Sequence, residues 1–147
     1  MALKRICGLV SSVLSDVMSV VSPRLCPSCG CALTEKEECL CHGCQAQLAS
    51  SGGFASLPGN PMEQRVLELT GMEIPCAALA PYVHEGVSGK VVAAFKYRGE
   101  KSLAVHMGRM LGISVSGSGR FSGYGVYVPV PLHPQRFRAR GYNQAAE

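Results

Sequence analysis

Cysteine is the residue type with the most chemistry in this chain: there are eight in 147 residues. Four of them form two CxxC pairs, Cys26-Pro-Ser-Cys29 and Cys41-His-Gly-Cys44, separated by eleven residues. A CxxC turn lets backbone N–H groups face the thiolates, and two such turns supply the four sulfurs of a closed tetrahedral zinc site. Gly30, just past the first pair, suits the left-handed backbone that such a turn needs. The predicted metal ligands are Cys26, Cys29, Cys41 and Cys44; Cys31, Cys39 and His42 sit close enough to compete. A CxC spacing makes a poorer chelate turn than CxxC, which puts Cys31 among the spares. Four sulfurs leave no open position, so the zinc is expected to be structural. Cys7 and Cys76 read as small buried hydrophobes.

The second set is basic. Arg136, Arg138 and Arg140 alternate along a segment that follows the apolar run Tyr124 to Pro131. If that segment is extended, its side chains flip faces with period two and all three guanidiniums share one side. Gly141-Tyr142-Asn143-Gln144 then reads as a helix opening, where backbone N–H groups would join the guanidiniums around a phosphate. Asn143 serves as an N-cap or as a ligand contact. Lys96, in Phe95-Lys96-Tyr97-Arg98-Gly99, either reaches the same cleft or sits at its helix C-terminus, where a cation suits the dipole. The candidate anion-binding residues are therefore Lys96, Arg136, Arg138, Arg140, Gly141, Tyr142, Asn143 and Gln144.

Charge is distributed to match. Residues 1–85 carry five basic and eight acidic side chains, whereas residues 86–147 carry nine basic and two acidic. The second half favours a phosphate-bearing partner, with a solubilising basic surface as the alternative. A hydrophobic content of 47% with 16% charged residues is that of a globular chain. Ser11, Ser12, Ser15 and Asp16 interrupt the apolar stretch from Ile6 to Val21, which excludes a secretory signal and a membrane span. The expected location is cytoplasmic, where cysteines bind metal rather than pair.

Four parts follow from these patterns. Residues 1–25 hold an amphipathic helix, 26–48 a zinc-ribbon module, 49–75 a turn-rich linker with a short helix from Met62 to Thr70, and 76–147 a larger domain. Within that domain the patterns predict a strand over 77–83 and a helix face of Val87, Val91, Ala94 and Phe95. A second helix runs from Lys101 to Leu111, a Gly/Ser loop from Gly112 to Gly123, and a strand over 124–131.

Paired CxxC, then Phe-Lys-Tyr-Arg-Gly at 95–99, then Val128-Pro-Val-Pro131 with Arg136-x-Arg138-x-Arg140-Gly-Tyr-Asn-Gln144, together resemble the ComF family of competence-associated, phosphoribosyltransferase-like proteins. The resemblance implies an α/β fold: a small N-terminal zinc ribbon followed by a type I phosphoribosyltransferase-like (Rossmann-like) domain. It also implies phosphoribosyl pyrophosphate at the arginine loop, Mg with that ligand, and partners in DNA uptake, including single-stranded DNA and competence-machinery proteins. Full members continue with an acidic strand–loop motif of two aspartates followed by threonines and glycine. Here the only acidic residue after Glu100 is Glu147. The expectation is accordingly an incomplete, N-terminal part of such a protein, inactive by itself as a transferase. Phe95, Tyr97, Phe137 and Tyr142 interleave with the basic residues, so a single-stranded-DNA-binding module is the alternative.

Overall fold

In a computed structural model, residues 23–147 are described; the amphipathic helix expected within residues 1–25, and Cys7 with it, lie almost wholly outside them. Five helices follow in order: α1 (His42–Ser50), α2 (Pro61–Thr70), α3 (Val87–Tyr97), α4 (Lys101–Ser118) and α5 (Pro134–Arg140). The only β pairing among the described residues is an isolated antiparallel bridge between Leu25 and Ala32. The α/β expectation, a zinc ribbon plus an incomplete Rossmann-like sheet, is therefore corrected: the described chain is helical.

The physical reason is visible in the two segments expected to be strands. A strand is stable only when its N–H and C=O groups find a ladder. Residues 124–131 carry no strand, and Val126, Tyr127, Val128 and Val130 stand 76–82% exposed with no strand beside them among the described residues. Pro129 and Pro131 also remove two donors from the run. Residues 77–83 gain one backbone tie of this kind, from Phe54 N–H to the Ala78 carbonyl at 2.9 Å.

Helix signals were read more directly. Asn60 is fully buried at the N-cap of α2, accepting from the N–H groups of Met62 and Glu63, with Pro61 in the first turn. Val91 and Ala94 of α3 are 1% and 0% exposed, as their spacing predicts. Helix α4 continues past Leu111 through the segment expected to be a loop and stops at Gly119, which takes a left-handed cap (φ +66°). Ser114 and Ser116 return their hydroxyls to the carbonyls of Met110 and Gly112, which removes their competition with the helix.

One apolar cluster joins the parts. Cys26, Leu40, Cys41, Cys44 and Leu48 pack in it with Val91, Ala94 and Leu103. Helix α3 packs against both α1 and α4. Arg98 adds a polar strut to the Pro27 carbonyl (2.7 Å), and Gln45 meets His106 at 2.9 Å.

A second, polar hub fixes α2. The Glu63 carboxylate accepts from Cys76 N–H (2.9 Å), Gly59 N–H (2.7 Å) and Arg120 (2.6 Å), and Arg120 also donates to the Leu57 carbonyl. The Cys76 N–H, then the Arg120 guanidinium, hold the Glu63 carboxyl down at about 2, against an ordinary 4.5. A depressed carboxyl stabilises the fold fully above its unfolded value, and that contribution disappears as pH falls through the folded one. Acid titration is expected to loosen α2 from Arg120 between about pH 4.5 and 2. Glu63→Gln should lower Tm at pH 7 and flatten its dependence in that window. Glu68→Gln, which breaks only an exposed pair with Arg65, should do neither.

Candidate metal centre and basic groove

The first cysteine turn is built by short-range bonds. Cys26 N–H donates to the Cys31 carbonyl and Gly30 N–H to the Cys26 carbonyl, both at 2.8 Å, while Leu33 N–H reaches the Arg24 carbonyl. Gly30 lies at φ +77°, a conformation that folds Cys31 back over Cys29. The second turn is the start of α1. Cys41 is its N-cap and takes the Cys44 N–H on its sulfur at 3.4 Å. The Glu37 carboxylate locks the intervening loop to that helix by accepting from Thr34 N–H (2.8 Å), Thr34 Oγ1 (2.9 Å) and His42 N–H (2.6 Å). Chiefly the Thr34 N–H, then that of His42, keep this carboxyl below its ordinary value.

The sulfurs of Cys26, Cys29, Cys31 and Cys41 all lie within 4.8 Å of one another. Cys29 Sγ is 3.3 Å from Cys31 Sγ and 3.6 Å from Cys41 Sγ. A tetrahedron with metal–sulfur bonds of about 2.3 Å has sulfur–sulfur edges of about 3.8 Å, so these four cysteines could hold a metal ion. Three of the predicted ligands, Cys26, Cys29 and Cys41, belong to this group, and Cys31 joins them. Cys44, the fourth predicted ligand, is not in this group; it is buried, and its N–H donates to Cys41 Sγ at 3.4 Å. Cys39 packs against the apolar cluster, and His42 is exposed with its backbone committed to Glu37.

The electrostatics favour sulfur anions held by the backbone. The Cys31 N–H, followed by the thiols of Cys31 and Cys41, draws Cys29 down to about 6. Burial opposes ionisation of Cys26, but N–H groups of Cys41, Cys29 and Ser28 outweigh it and lower this thiol too. Cys31 is pushed up to about 12 by its neighbour Cys29 and then Cys41, while burial takes Cys44 to about 12. Without a cation the cluster therefore keeps part of its protons; a divalent ion would displace them.

The arginines are arranged differently from the extended-segment expectation. His133 caps α5 by accepting the Gln135 N–H on Nδ1, Pro134 opens the helix, and Gly141 closes it at φ +82°. Helical geometry puts Arg136 and Arg140 on one face, a turn apart, and turns Arg138 away. Lys96, Tyr97, Arg136, Ala139 and Arg140 line one groove of about 400 Å³. Arg140 lies 5.9 Å from the Tyr97 ring centroid and donates its Nε to the Lys96 carbonyl at 2.8 Å.

The other sequence-predicted anion contacts are committed elsewhere. Gly141 ends a helix instead of preceding one, and its N–H donates to the Phe137 carbonyl at 2.7 Å. Tyr142 is buried, with its hydroxyl donating to the Phe95 carbonyl. Asn143 ties Val130 to the C-terminal turn through Nδ2 (3.0 Å) and accepts the Ala145 N–H. Gln144 accepts from Arg140. Of these four, Tyr142 ties the chain after α5 to α3, and Gln144 holds the Arg140 guanidinium. Tyr97, singled out in the sequence as an aromatic interleaved with the basic residues, lines the groove; Ala139, which also lines it, carries no signal in the sequence.

Among the described residues no helix is long and apolar enough to cross a membrane. No family model, curated protein or solved structure matches the chain, so both sites stand on their own geometry.

Proposed function

We propose that this chain is a zinc-stapled protein that binds a phosphate-bearing ligand in the groove between α3 and α5. One observation carries the reading: Lys96 of α3 and the sequence-distant Arg136 and Arg140 of α5 line the same groove with Tyr97. The Arg136 fork, the N–H groups that Arg140 has left beyond its bonds to Lys96 and Gln144, and the Lys96 ammonium match a polyanion such as a pyrophosphate. The Arg-Gly-Tyr-Asn-Gln string and its likeness to the ComF family make phosphoribosyl pyrophosphate, with Mg, the first ligand to test. The zinc is structural, held by sulfur alone, and no transferase step is assigned to these residues.

Exposure of aromatic rings beside the cations supports single-stranded DNA as the second reading. Tyr97 is 80% and Phe137 49% exposed, whereas Phe95 and Tyr142 are part of the packing. Stacking on such rings is sequence-tolerant and contributes about 1–3 kcal/mol per base.

Titration of the zinc-loaded chain with phosphoribosyl pyrophosphate and, separately, with an oligothymidylate separates the two. For the first reading, Arg136→Ala weakens the small ligand by about tenfold or more, the equivalent of one charged hydrogen bond, while Arg138→Ala leaves it nearly unchanged. Absence of binding, or equal losses at the two arginines, would overturn the groove. For the second, Tyr97→Ala reduces oligonucleotide affinity and the affinity falls steeply with salt.

A further inference from the structure

The four cysteines of the sulfur group differ in what covers them. Cys26 and Cys41 are 2% and 8% exposed and belong to the apolar cluster, whereas Cys29 and Cys31 are exposed. The two exposed sulfurs lie 3.3 Å apart, nearer than the 3.6 Å from Cys29 Sγ to Cys41 Sγ. Gly30 alone separates them in sequence, at φ +77° and with open space where a Cβ would stand. A single left-handed glycine lets the two sulfurs close to the roughly 2.05 Å of a disulfide without moving a neighbouring element. Cys41, by contrast, is the N-cap of α1 and takes the Cys44 N–H on its sulfur, so pairing Cys29 with it would pull on the helix start. A zinc-bound cysteine is a thiolate. Oxidation follows thiolate character and exposure, and a second sulfur at hand carries it on to a disulfide.

We infer that Cys29 and Cys31 are an oxidisable pair on the solvent side of the metal centre, which a hydroperoxide closes into a disulfide, expelling the ion. This rests on the zinc reading above. One of the two thiolates attacks a peroxide oxygen: an S–O bond forms, the O–O bond breaks, and the leaving hydroxide takes a proton to become water. The other thiolate then attacks the sulfenic sulfur; an S–S bond forms, the S–O bond breaks, and a second water leaves. Two thiolates, one hydrogen peroxide and two protons thus give one disulfide and two waters. Two electrons pass from sulfur to peroxide, and zinc keeps its charge throughout. Of the group, only Cys26 and Cys41 remain as thiolates, and two sulfurs do not complete a closed tetrahedral site. Peroxide thereby controls how much of the sulfur centre is filled, through the two ligands that face solvent.

The test treats the zinc-loaded full chain with hydrogen peroxide and follows the metal with a chromogenic chelator. One zinc should be released per chain, and a thiol reductant added together with zinc should restore it. Tryptic mapping reads the bond, because Cys26, Cys29 and Cys31 share the peptide 25–36 while Cys41 lies in 37–65. Peptide 25–36 should lose two hydrogens, stay free of cross-links and keep one alkylatable thiol, that of Cys26. A cross-link to 37–65, or zinc release with Cys29 and Cys31 still reduced, would overturn the inference, as would zinc that stays bound through the oxidation. Cys31→Ser should stop at a sulfenic acid on Cys29, labelled by dimedone; should that variant fail to fold, the mapping of the parent chain decides alone. Cys76→Ser, outside the group, should leave the release unchanged. A chain that takes up no zinc overturns the metal reading and the expulsion with it. A chain that binds zinc but forms no disulfide between Cys29 and Cys31 overturns the oxidisable pair and leaves the metal reading standing.

Discussion

With zinc in the sulfur cluster as proposed, stripping it with a chelator is expected to collapse the helical core, with loss of most far-ultraviolet helical signal and of a cooperative thermal transition. The reason lies in where the sulfurs sit. Cys26, Cys41 and Cys44 are members of the same cluster as Leu48, Val91, Ala94 and Leu103. Structural zinc in finger peptides is worth about 10–16 kcal/mol. A whole domain is stable by only about 5–15 kcal/mol. Removing the ion also leaves thiols crowded at 3.3 and 3.6 Å with nothing to bridge them. Cys29→Ser, which takes away the sulfur lying 3.3 and 3.6 Å from its neighbours in the four-cysteine group, should behave like the chelated protein even in excess zinc. Circular dichroism with and without added metal checks both; a chelated chain that melts at the native temperature would show that zinc contributes nothing to the fold.

The second large effect belongs to Leu103. It is 1% exposed on α4 and packs with Val91 and Ala94, so it fastens the longest of the described helices to the rest. Leu103→Ala should cost about 2–5 kcal/mol through lost burial and the cavity left behind. In a domain of this size that is a fall in Tm of roughly 10–20 °C. Ile113→Ala on the same helix, at a site 75% exposed, should stay within about 0.5 kcal/mol of the parent. Equal losses at the two positions would place the core elsewhere.

These contrasts mark what the sequence could and could not disclose. Helix α3 was legible because Val87, Val91 and Ala94 recur with its period and all pack inward. Helix α2 was expected over Met62 to Thr70, and the Asn60 cap and Pro61 move its start one residue earlier. The tail of α4 was not, since Gly112, Ser114, Ser116 and Gly117 each argue for a loop and only hydroxyl-to-carbonyl bonds along the helix reconcile them with it. Alternating arginines at 136, 138 and 140 invited an extended reading; Pro134 and Gly141 at the two ends decided for a helix and split the trio. The valine-rich run over 124–131 has strand composition, but pairing is a property of two segments and cannot be read from one. For the cysteines, spacing located the cluster correctly. Choosing among neighbouring thiols required the backbone dihedral of Gly30.

The shared cluster has one more consequence, for thermodynamic linkage. Helix α3 presents Val91 to the cysteine side and ends in Lys96 and Tyr97 at the basic groove. If zinc and an anion bind as proposed, ordering that helix is a cost common to both events, and the first ligand to bind lowers it for the second. Coupling between the two must then be reciprocal: whatever factor zinc adds to anion affinity, the anion adds to zinc affinity. Free zinc would act as a dial on the groove, with its effect saturating as the sulfur centre fills.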